Sequence, residues 1–285
     1  MCWSRSRLVV VLALVFAPAL TLADGRPWAI GLGAQLDAEG SSSTVASFDI
    51  AAAESTWLRA SGSLGDSPSS RGDIQTRTLS AGIDQSFGIV GFTLDLQRWG
   101  DPDLIESDDV KASVYWRSEA VTVAVLAERR EFDVTFSVTG IGGDVFSRTV
   151  GFSGDGWGLR FSAKPDENWR LFVSGRKYDY SANLAALPRI QLVDFLFSST
   201  LTLANSLVDF EMTAGVERSF GDRSLSLNYA RDRSAVDRTF LNSLDVGLLL
   251  PVGNRVDLEL SFGVSDSQDF GSEAFGGVYL FIYGG

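Results

Sequence analysis

Residues 208–217 read VDFEMTAGVE, a stretch in which every second residue is apolar and every residue between is acidic, polar or glycine. Residues 256–263 repeat the pattern as VDLELSFG. Because successive side chains of a strand point to opposite faces, this period predicts β-strands with one apolar and one polar face.

The same two-residue period recurs from residue 28 onward, and short breaks alternate with long polar connections between the periodic segments. The short breaks fall at 53–55, 85–88, 118–119, 164–168, 220–222 and 251–254. The long connections fall at 37–43, 65–74, 100–108, 139–144, 181–204, 232–237 and 265–273. Tight turns at one end and long loops at the other are typical of outer-membrane barrels. The sequence therefore predicts an all-β fold, an antiparallel transmembrane up-and-down β-barrel of fourteen strands with both chain ends at the short-turn end.

Three segments leave twelve or sixteen strands open. Residues 121–138 and 145–163 exceed the ~9–11 residues that a membrane-crossing strand needs, and we interpret them as strands projecting beyond the outer surface. An extra hairpin within 188–205 needs a turn before Val208, but no turn signal precedes that residue. We therefore favour one long strand from about Ser199, preceded by an external loop.

The N-terminus has the pattern of a secretory signal peptide. Arg5 and Arg7 precede an apolar run from Leu8 to Leu20, and Thr21-Leu22-Ala23 supplies small residues for cleavage. We expect cleavage after Ala23, which leaves residues 24–285 as one barrel domain. The only cysteine, Cys2, lies in the removed segment, so the mature chain has no disulfide or thiolate metal site.

Charge and composition exclude several functions. The net charge of −12 argues against a nucleic-acid partner, because phosphate binding needs a basic face. The chain has no histidine, which removes Ser-His catalysis and imidazole metal ligation. We therefore expect no enzyme activity, catalytic residue, metal or cofactor.

The alternative to a membrane barrel is a soluble β-sandwich or lipocalin-like barrel, which shows the same alternation. Apolar positions that continue along nearly every strand favour the membrane barrel. Aromatic residues near strand ends also favour it, because such girdles lie at lipid interfaces. The predicted girdle consists of Trp28, Trp116, Trp157, Trp169, Tyr229 and Tyr283.

The last strand carries Phe275, Tyr279, Phe281 and Tyr283 around Gly276-Gly277. This pattern resembles the final strand of bacterial outer-membrane β-barrel proteins, including monomeric porins, although here the chain ends on Gly284-Gly285. The resemblance implies a location in the outer membrane of a Gram-negative bacterium. It also implies recognition by the barrel-assembly machinery and contact with outer-membrane lipid and lipopolysaccharide. It gives no oligomeric state.

The face opposite the apolar one should line the interior, and its charges are segregated along the chain. The predicted pore-lining basic residues are Lys111, Arg117, Arg130, Arg160, Arg170 and Arg176. The predicted pore-lining acidic residues are Asp49, Asp84, Asp95, Asp209, Glu211, Glu217, Asp245, Asp257 and Glu259. Walls of opposite charge across a narrow passage orient water and select ions.

The connection 181–205 is apolar for an external loop, with Leu187, Ile190 and Phe195 as a possible constriction or lid. Together these patterns predict a porin-like channel for passive diffusion of small polar solutes or ions, with a preference for cations. The alternative is a non-conducting barrel that acts as an anchor, a complex subunit or a surface-interaction protein.

Overall fold

A computed structural model describes residues 25–68, 74–101, 103–139, 145–184, 207–267 and 271–285. Fourteen strands form, as predicted: β1 (Trp28–Asp37), β2 (Ser42–Ala53), β3 (Thr56–Ser67), β4 (Ile74–Phe87), β5 (Val90–Asp101), β6 (Ile105–Arg117), β7 (Val121–Thr139), β8 (Val145–Asp166), β9 (Trp169–Tyr180), β10 (Val208–Phe220), β11 (Arg223–Ser234), β12 (Phe240–Gly253), β13 (Val256–Ser267) and β14 (Gly271–Gly284). Within these ranges no helix is long and apolar enough to cross a membrane.

Every strand pairs antiparallel with its sequence neighbours, and β1 pairs with β14 to close the barrel. Closure leaves no strand edge unpaired. Trp28 opposes Gly284, so both ends of the barrel domain lie at the end of the short turns, as predicted. We call this the periplasmic end, following the usual orientation of such barrels. Gly88 and Gly221 follow β4 and β10 there with φ of 67° and 66°, a left-handed backbone that glycine adopts without strain.

Strands β7 and β8 are the longest, with 19 and 22 residues, and project beyond the others as predicted. The acidic segment predicted as a long connection at 100–108 is mostly strand, because β5 runs to Asp101 and β6 begins at Ile105. The predicted extension of β10 back to Ser199 lies outside the described residues.

The outward face of the wall is apolar over most of its height. Leu79, for example, is 67% exposed although it is a large apolar side chain. Other exposed apolar side chains lie on the same face of strands around the barrel: Leu32, Leu94, Val114, Val125, Leu159, Val173, Leu227, Val246, Phe262 and Val278. A continuous apolar band of this kind is stable only against lipid.

Strand β7 shows where the band ends. Its outward residues are apolar up to Ala127, and then Arg129 and Glu131 follow. The inward residues change in the opposite sense, from Glu128 and Arg130 to Phe132. Beyond the lipid the outside of the wall meets water and the inside becomes an apolar core, so this exchange of polarity marks the outer edge of the membrane.

Most of the predicted girdle residues lie on the lipid face. Trp116 and Trp169 are exposed near the periplasmic end, and Trp157 is exposed beside Ala127 at the outer edge. Trp28 lies on the face of Ile30, against Gly284. Tyr229 also faces outward and donates a hydrogen bond of 2.9 Å to Asn242 Oδ1.

Tyr283 does not belong to this girdle. It opposes Ala29 on β1 and shares the parity of Phe281, which opposes Asp257 of the inward face. The parity of β14 turns Phe275, Tyr279, Phe281 and Tyr283 inward, and Val278, Leu280 and Ile282 face lipid instead. The aromatic pattern that resembles a final-strand signal is therefore an inward-facing row.

Inward aromatic rings lie across glycines on the neighbouring strand. A Cβ on Gly154 would lie 2.7 Å from Cε1 of Tyr180, and one on Gly156 would lie 2.5 Å from Cε1 of Tyr178. Both glycines lie within β8, in continuous register with β7. Their missing side chains provide the space that lets each ring lie flat against the wall. The other such pairs are Gly33 with Tyr279, Gly91 with Tyr115, Gly215 with Phe172 and Gly263 with Phe275.

Candidate functional site

Side chains from strands that are not hydrogen bonded to each other meet inside the barrel. Arg59 Nε on β3 lies 3.0 Å from Asp95 Oδ1 on β5. The Tyr115 hydroxyl on β6 donates a 2.8 Å hydrogen bond to Asp84 on β4. Strands two apart are separated by about 10 Å, so their side chains converge only on the concave side of the wall. These contacts define the inward face.

The strand register places every predicted pore-lining residue on this inward face. Asp95 opposes Lys111, and Lys111 opposes Glu128. Further around the wall, Arg176 opposes Glu211 and Arg170 opposes Glu217. The other predicted pore-lining residues also point inward, as the register of each strand shows. They are Asp49, Asp84, Arg117, Arg130, Arg160, Asp209, Asp245, Asp257 and Glu259. The role of these residues as the lining of an open pore stays a prediction.

Glu128 is the centre of a buried polar cluster, which we call the Glu128 network. Its Oε1 accepts a 2.7 Å hydrogen bond from Arg130 Nε, and its Oε2 accepts from Arg176 Nη1 and, at 2.9 Å, from the Tyr178 hydroxyl. Arg176 also lies 3.2 Å from Glu211. The network therefore ties together β7, β9 and β10.

The Glu128 network is shielded from water. The Glu128 side chain is 0% exposed and that of Arg130 is 2% exposed, and Arg130 Cζ lies 4.4 Å above the Tyr178 ring. Buried charges are tolerated when they are paired and hydrogen bonded on several sides. Arg130 and Arg176 therefore act as ion-pair partners in the wall, and Lys111 lies 3.8 Å from the same carboxylate.

A cluster of buried apolar side chains lies beyond the network at the outer end, and we call it the outer apolar cluster. Phe132 is its centre, with its ring stacked on Phe152 at a centroid distance of 4.9 Å and 6.3 Å from Trp99. Tyr180 packs against both phenylalanines. The cluster also contains Ile74, Ile105, Val134, Leu184, Leu207, Ala235 and Val236. Leu184 follows β9, and Ala235 and Val236 lie between β11 and β12. The cluster therefore packs parts of two outer connections against residues of β4–β9.

The periplasmic half of the interior is polar and open to water. Arg160 is exposed there, between Ala124 on β7 and Ser174 on β9, and within electrostatic range of Asp95. Hydroxyl pairs line neighbouring strands, including Ser174 with Thr213 at 2.6 Å. The hydration of Arg160 contrasts with the burial of the Glu128 network.

A cavity of about 470 Å³ opens at the periplasmic rim between β6 and β10. Arg117, Lys164, Arg170 and Glu217 contribute to its lining. Arg170 Nη1 lies 3.9 Å from Glu217 Oε2, a distance typical of a loose, water-screened pair. The predicted basic residues Arg117 and Arg170 thus lie at the rim, and Arg160 lies deeper.

The predicted acidic residues not yet described fall into two groups. Asp209 lies at a β-bulge near the outer end, where Arg233 Nε binds Oδ1 at 2.6 Å and Arg238 binds Oδ2. The carboxylate is therefore neutralised, and it presents no free charge to the lumen. Asp245 accepts a 2.8 Å hydrogen bond from Asn228 and lies in the polar interior. Asp49, Asp257 and Glu259 are also half-buried in this interior.

Sequence reasoning missed the residues that pack inside the outer half of the barrel. Tyr178 and the outer apolar cluster were not predicted, although Trp99, Phe132 and Phe152 all have inward parity. The available signal was the exchange of polarity between the two faces of one strand, as on β7. The predicted lid residues Leu187, Ile190 and Phe195 lie outside the described residues.

No family model and no curated protein matches this chain. Solved structures match in fold. One is the CymD monoaromatic hydrocarbon channel, with a TM-score of 0.55, 7% identity, and coverage of 90% of this chain and 87% of that one. Another is a loop L8 deletion mutant of OmpT, an outer membrane protein of Vibrio cholerae, with a TM-score of 0.52, 7% identity, and coverage of 91% and 98%. The chain therefore has the fold of the bacterial outer-membrane β-barrels, and the predicted porin-like architecture is confirmed.

Proposed function

We propose that this protein is a porin-like channel for small polar solutes or ions in the outer membrane of a Gram-negative bacterium. The observation that carries the proposal is Arg160. Its guanidinium is inward and exposed to water, whereas Leu159 and Phe161 beside it face lipid. A charged side chain at membrane depth is stable only where water or counter-charges reach it. A hydrated interior at this depth is what a diffusion channel requires.

A preference for cations is the finer part of this proposal. Within the described ranges Asp49, Asp257 and Glu259 form no ion pair, although they face the polar interior. Arg160 and, at the rim, Arg117 are inward cations without an ion pair in the described part of the chain, while Arg170 and Arg176 pair with Glu217 and Glu211. Unpaired carboxylates raise the local concentration of cations in a narrow passage.

A second candidate function is a non-conducting barrel that serves as an anchor or a complex subunit. The outer apolar cluster favours it, because Phe132, Leu207 and Val236 are almost completely buried at the outer mouth. The Glu128 network fills part of the interior below. A passage on this side of the barrel would have to open through packed side chains.

Planar-bilayer recording of the full mature chain separates the two functions. We expect discrete conductance steps and, in a KCl gradient, a reversal potential on the cation-selective side. Arg160→Glu should increase the cation preference, because it converts an unpaired lumen cation into an anion. The matched control is Arg129→Glu, which makes the same change on the outward face beyond the membrane and should leave selectivity unchanged.

Correctly folded protein that inserts and stays electrically silent would exclude the channel and leave the non-conducting barrel. If the wild type, Arg160→Glu and Arg129→Glu all give conductance steps with the same ion selectivity, then ions do not pass Arg160. Anion selectivity in the wild type would contradict the cation preference alone.

A further inference from the structure

The outer corner of the wall formed by β10–β12 is rich in arginine. Arg231 and Arg233 lie on β11, and Arg238 lies in the connection to β12. Among the described residues, Arg233 and Arg238 share one carboxylate, that of Asp209. The nearby Asp237 carboxylate accepts hydrogen bonds from the backbone and side chain of Thr239. Asp232 on β11 lies between Arg231 and Arg233, so the corner holds three arginines and the three carboxylates of Asp209, Asp232 and Asp237.

Arg231 is the guanidinium of this corner that remains available. It opposes Met212 on β10 and Asn242 on β12, which gives it outward parity. Its Cζ lies 4.1 Å above the ring centroid of Phe240, and it forms no ion pair within the described part of the chain. A ring under a guanidinium fixes the plane of the group and leaves its N–H donors free at the edge.

The height of Arg231 coincides with the edge of the lipid band. Along the outward face of β11, the lipid-exposed Leu225 and Leu227 come first, then Tyr229, then Arg231. The Tyr229 hydroxyl and Asn242 form a polar pair at this level. Tyrosines mark the membrane interface, and guanidiniums next to them lie among lipid headgroups. This edge of the lipid band lies at the end of the barrel that carries the long connections, so it lies at the level of the outer leaflet.

Two outward arginines elsewhere on the described outer rim are neutralised by neighbouring carboxylates. Arg98 lies 3.0 Å from Glu106, and Arg129 lies 2.9 Å from Asp155, so the outward arginines on β5 and β7 already have carboxylate partners. Arg231 differs from these arginines because its platform is an aromatic ring and its donors face outward. An unpaired guanidinium held on an aromatic ring at this height is suited to bind an external anion.

We propose that Arg231, held on Phe240 beside Asn242, binds a phosphate group of lipopolysaccharide in the outer leaflet. Arginine recognises phosphate with paired N–H donors, and Asn242 supplies an amide at the same level. The acyl chains would then lie along Leu227 and Val246 below. The inference concerns the lipid side of the wall and is independent of conduction through the lumen.

The test is the affinity of the purified full-length mature chain for bisphosphorylated lipid A, measured by native mass spectrometry from detergent. Arg231→Gln should weaken binding about tenfold, the loss expected for one charge-assisted hydrogen-bonding group. The matched control is Arg218→Gln. Arg218 also faces outward and stacks on Trp169 and Phe220, at 5.0 and 4.6 Å, but at the periplasmic edge. The Arg218→Gln variant should bind lipid A with the affinity of the wild type.

Two further arms identify the ligand group. In the first, lipid A without phosphates should bind the wild type about as weakly as bisphosphorylated lipid A binds Arg231→Gln. In the second, phosphatidylglycerol should bind the wild type and Arg231→Gln equally well. Phe240→Leu keeps the charge and removes the platform, so it should weaken lipid A binding even if Arg231→Gln fails to fold. The proposal is wrong if Phe240→Leu and every folded Arg231 variant bind lipid A like the wild type. It is also wrong if Arg218→Gln loses as much affinity or if phosphate removal has no effect.

Discussion

Glu128→Gln should lower the free energy of unfolding by about 3–5 kcal/mol, the usual cost of removing one partner from a buried ion pair. The substitution keeps the size of the side chain but removes the carboxylate that accepts the 2.7 Å hydrogen bond of Arg130, and Arg130 is almost fully buried. Arg176 retains Glu211 at 3.2 Å, so the loss should fall mainly on Arg130. Urea titration of the protein folded in lipid vesicles, followed by tryptophan fluorescence, measures the change.

The matched control is Glu131→Gln on the same strand. The Glu131 side chain is 71% exposed on the outward face and lies 3.9 Å from Arg129, so its change should stay within about 0.5 kcal/mol. Replacing Arg130 by Met together with Glu128→Gln should recover part of the loss, because the buried guanidinium is removed as well. Equal effects of Glu128→Gln and Glu131→Gln would show that the network does not stabilise the wall.

Phe132→Ala should cost about 3–5 kcal/mol, the range for deleting a fully buried aromatic side chain. Phe132 is 1% exposed and contacts Trp99, Phe152 and Tyr180 from β5, β8 and β9. Its loss leaves a cavity at the centre of the outer apolar cluster. The same vesicle titration measures the effect.

Phe132→Leu is the matched variant because it retains a large apolar side chain, and it should cost less than about 1.5 kcal/mol. The alanine variant should also admit a water-soluble quencher to the Trp99 indole, which the wild type shields. An alanine variant as stable as the leucine variant, with Trp99 still shielded, would mean that this cluster is not a packed core.

The barrel itself could be predicted from the sequence because its signal is local and repeated. Each strand carries its own alternation, as in residues 208–217, and lipid requires the apolar face to be continuous. Closure then follows from the need to pair the last strand with the first. The strand number depended on turns such as Gly88 and Gly221, which are visible in the sequence.

The sequence did not allow us to predict which of the inward charged residues form ion pairs with each other. Parity gives the face of Glu128 and Arg176, but their contact depends on the relative heights of β7 and β9, which the sequence does not encode locally. Tyr283 was assigned to the wrong face because its residue type was given more weight than its parity. The outer apolar cluster follows from parity too, because Phe132 lies on the face of Glu128.

The central claim is that a hydrated interior lies behind a lipid-facing wall at the depth of Arg160. Its most direct test uses single cysteines introduced into the mature barrel, which is reconstituted in lipid vesicles. The measurement is the rate at which a membrane-impermeant, water-soluble thiol reagent labels them. Arg160→Cys should react at least about tenfold faster than Leu159→Cys, because a thiolate forms in water and not in hydrocarbon. Equal rates, or faster labelling at position 159, would contradict the account.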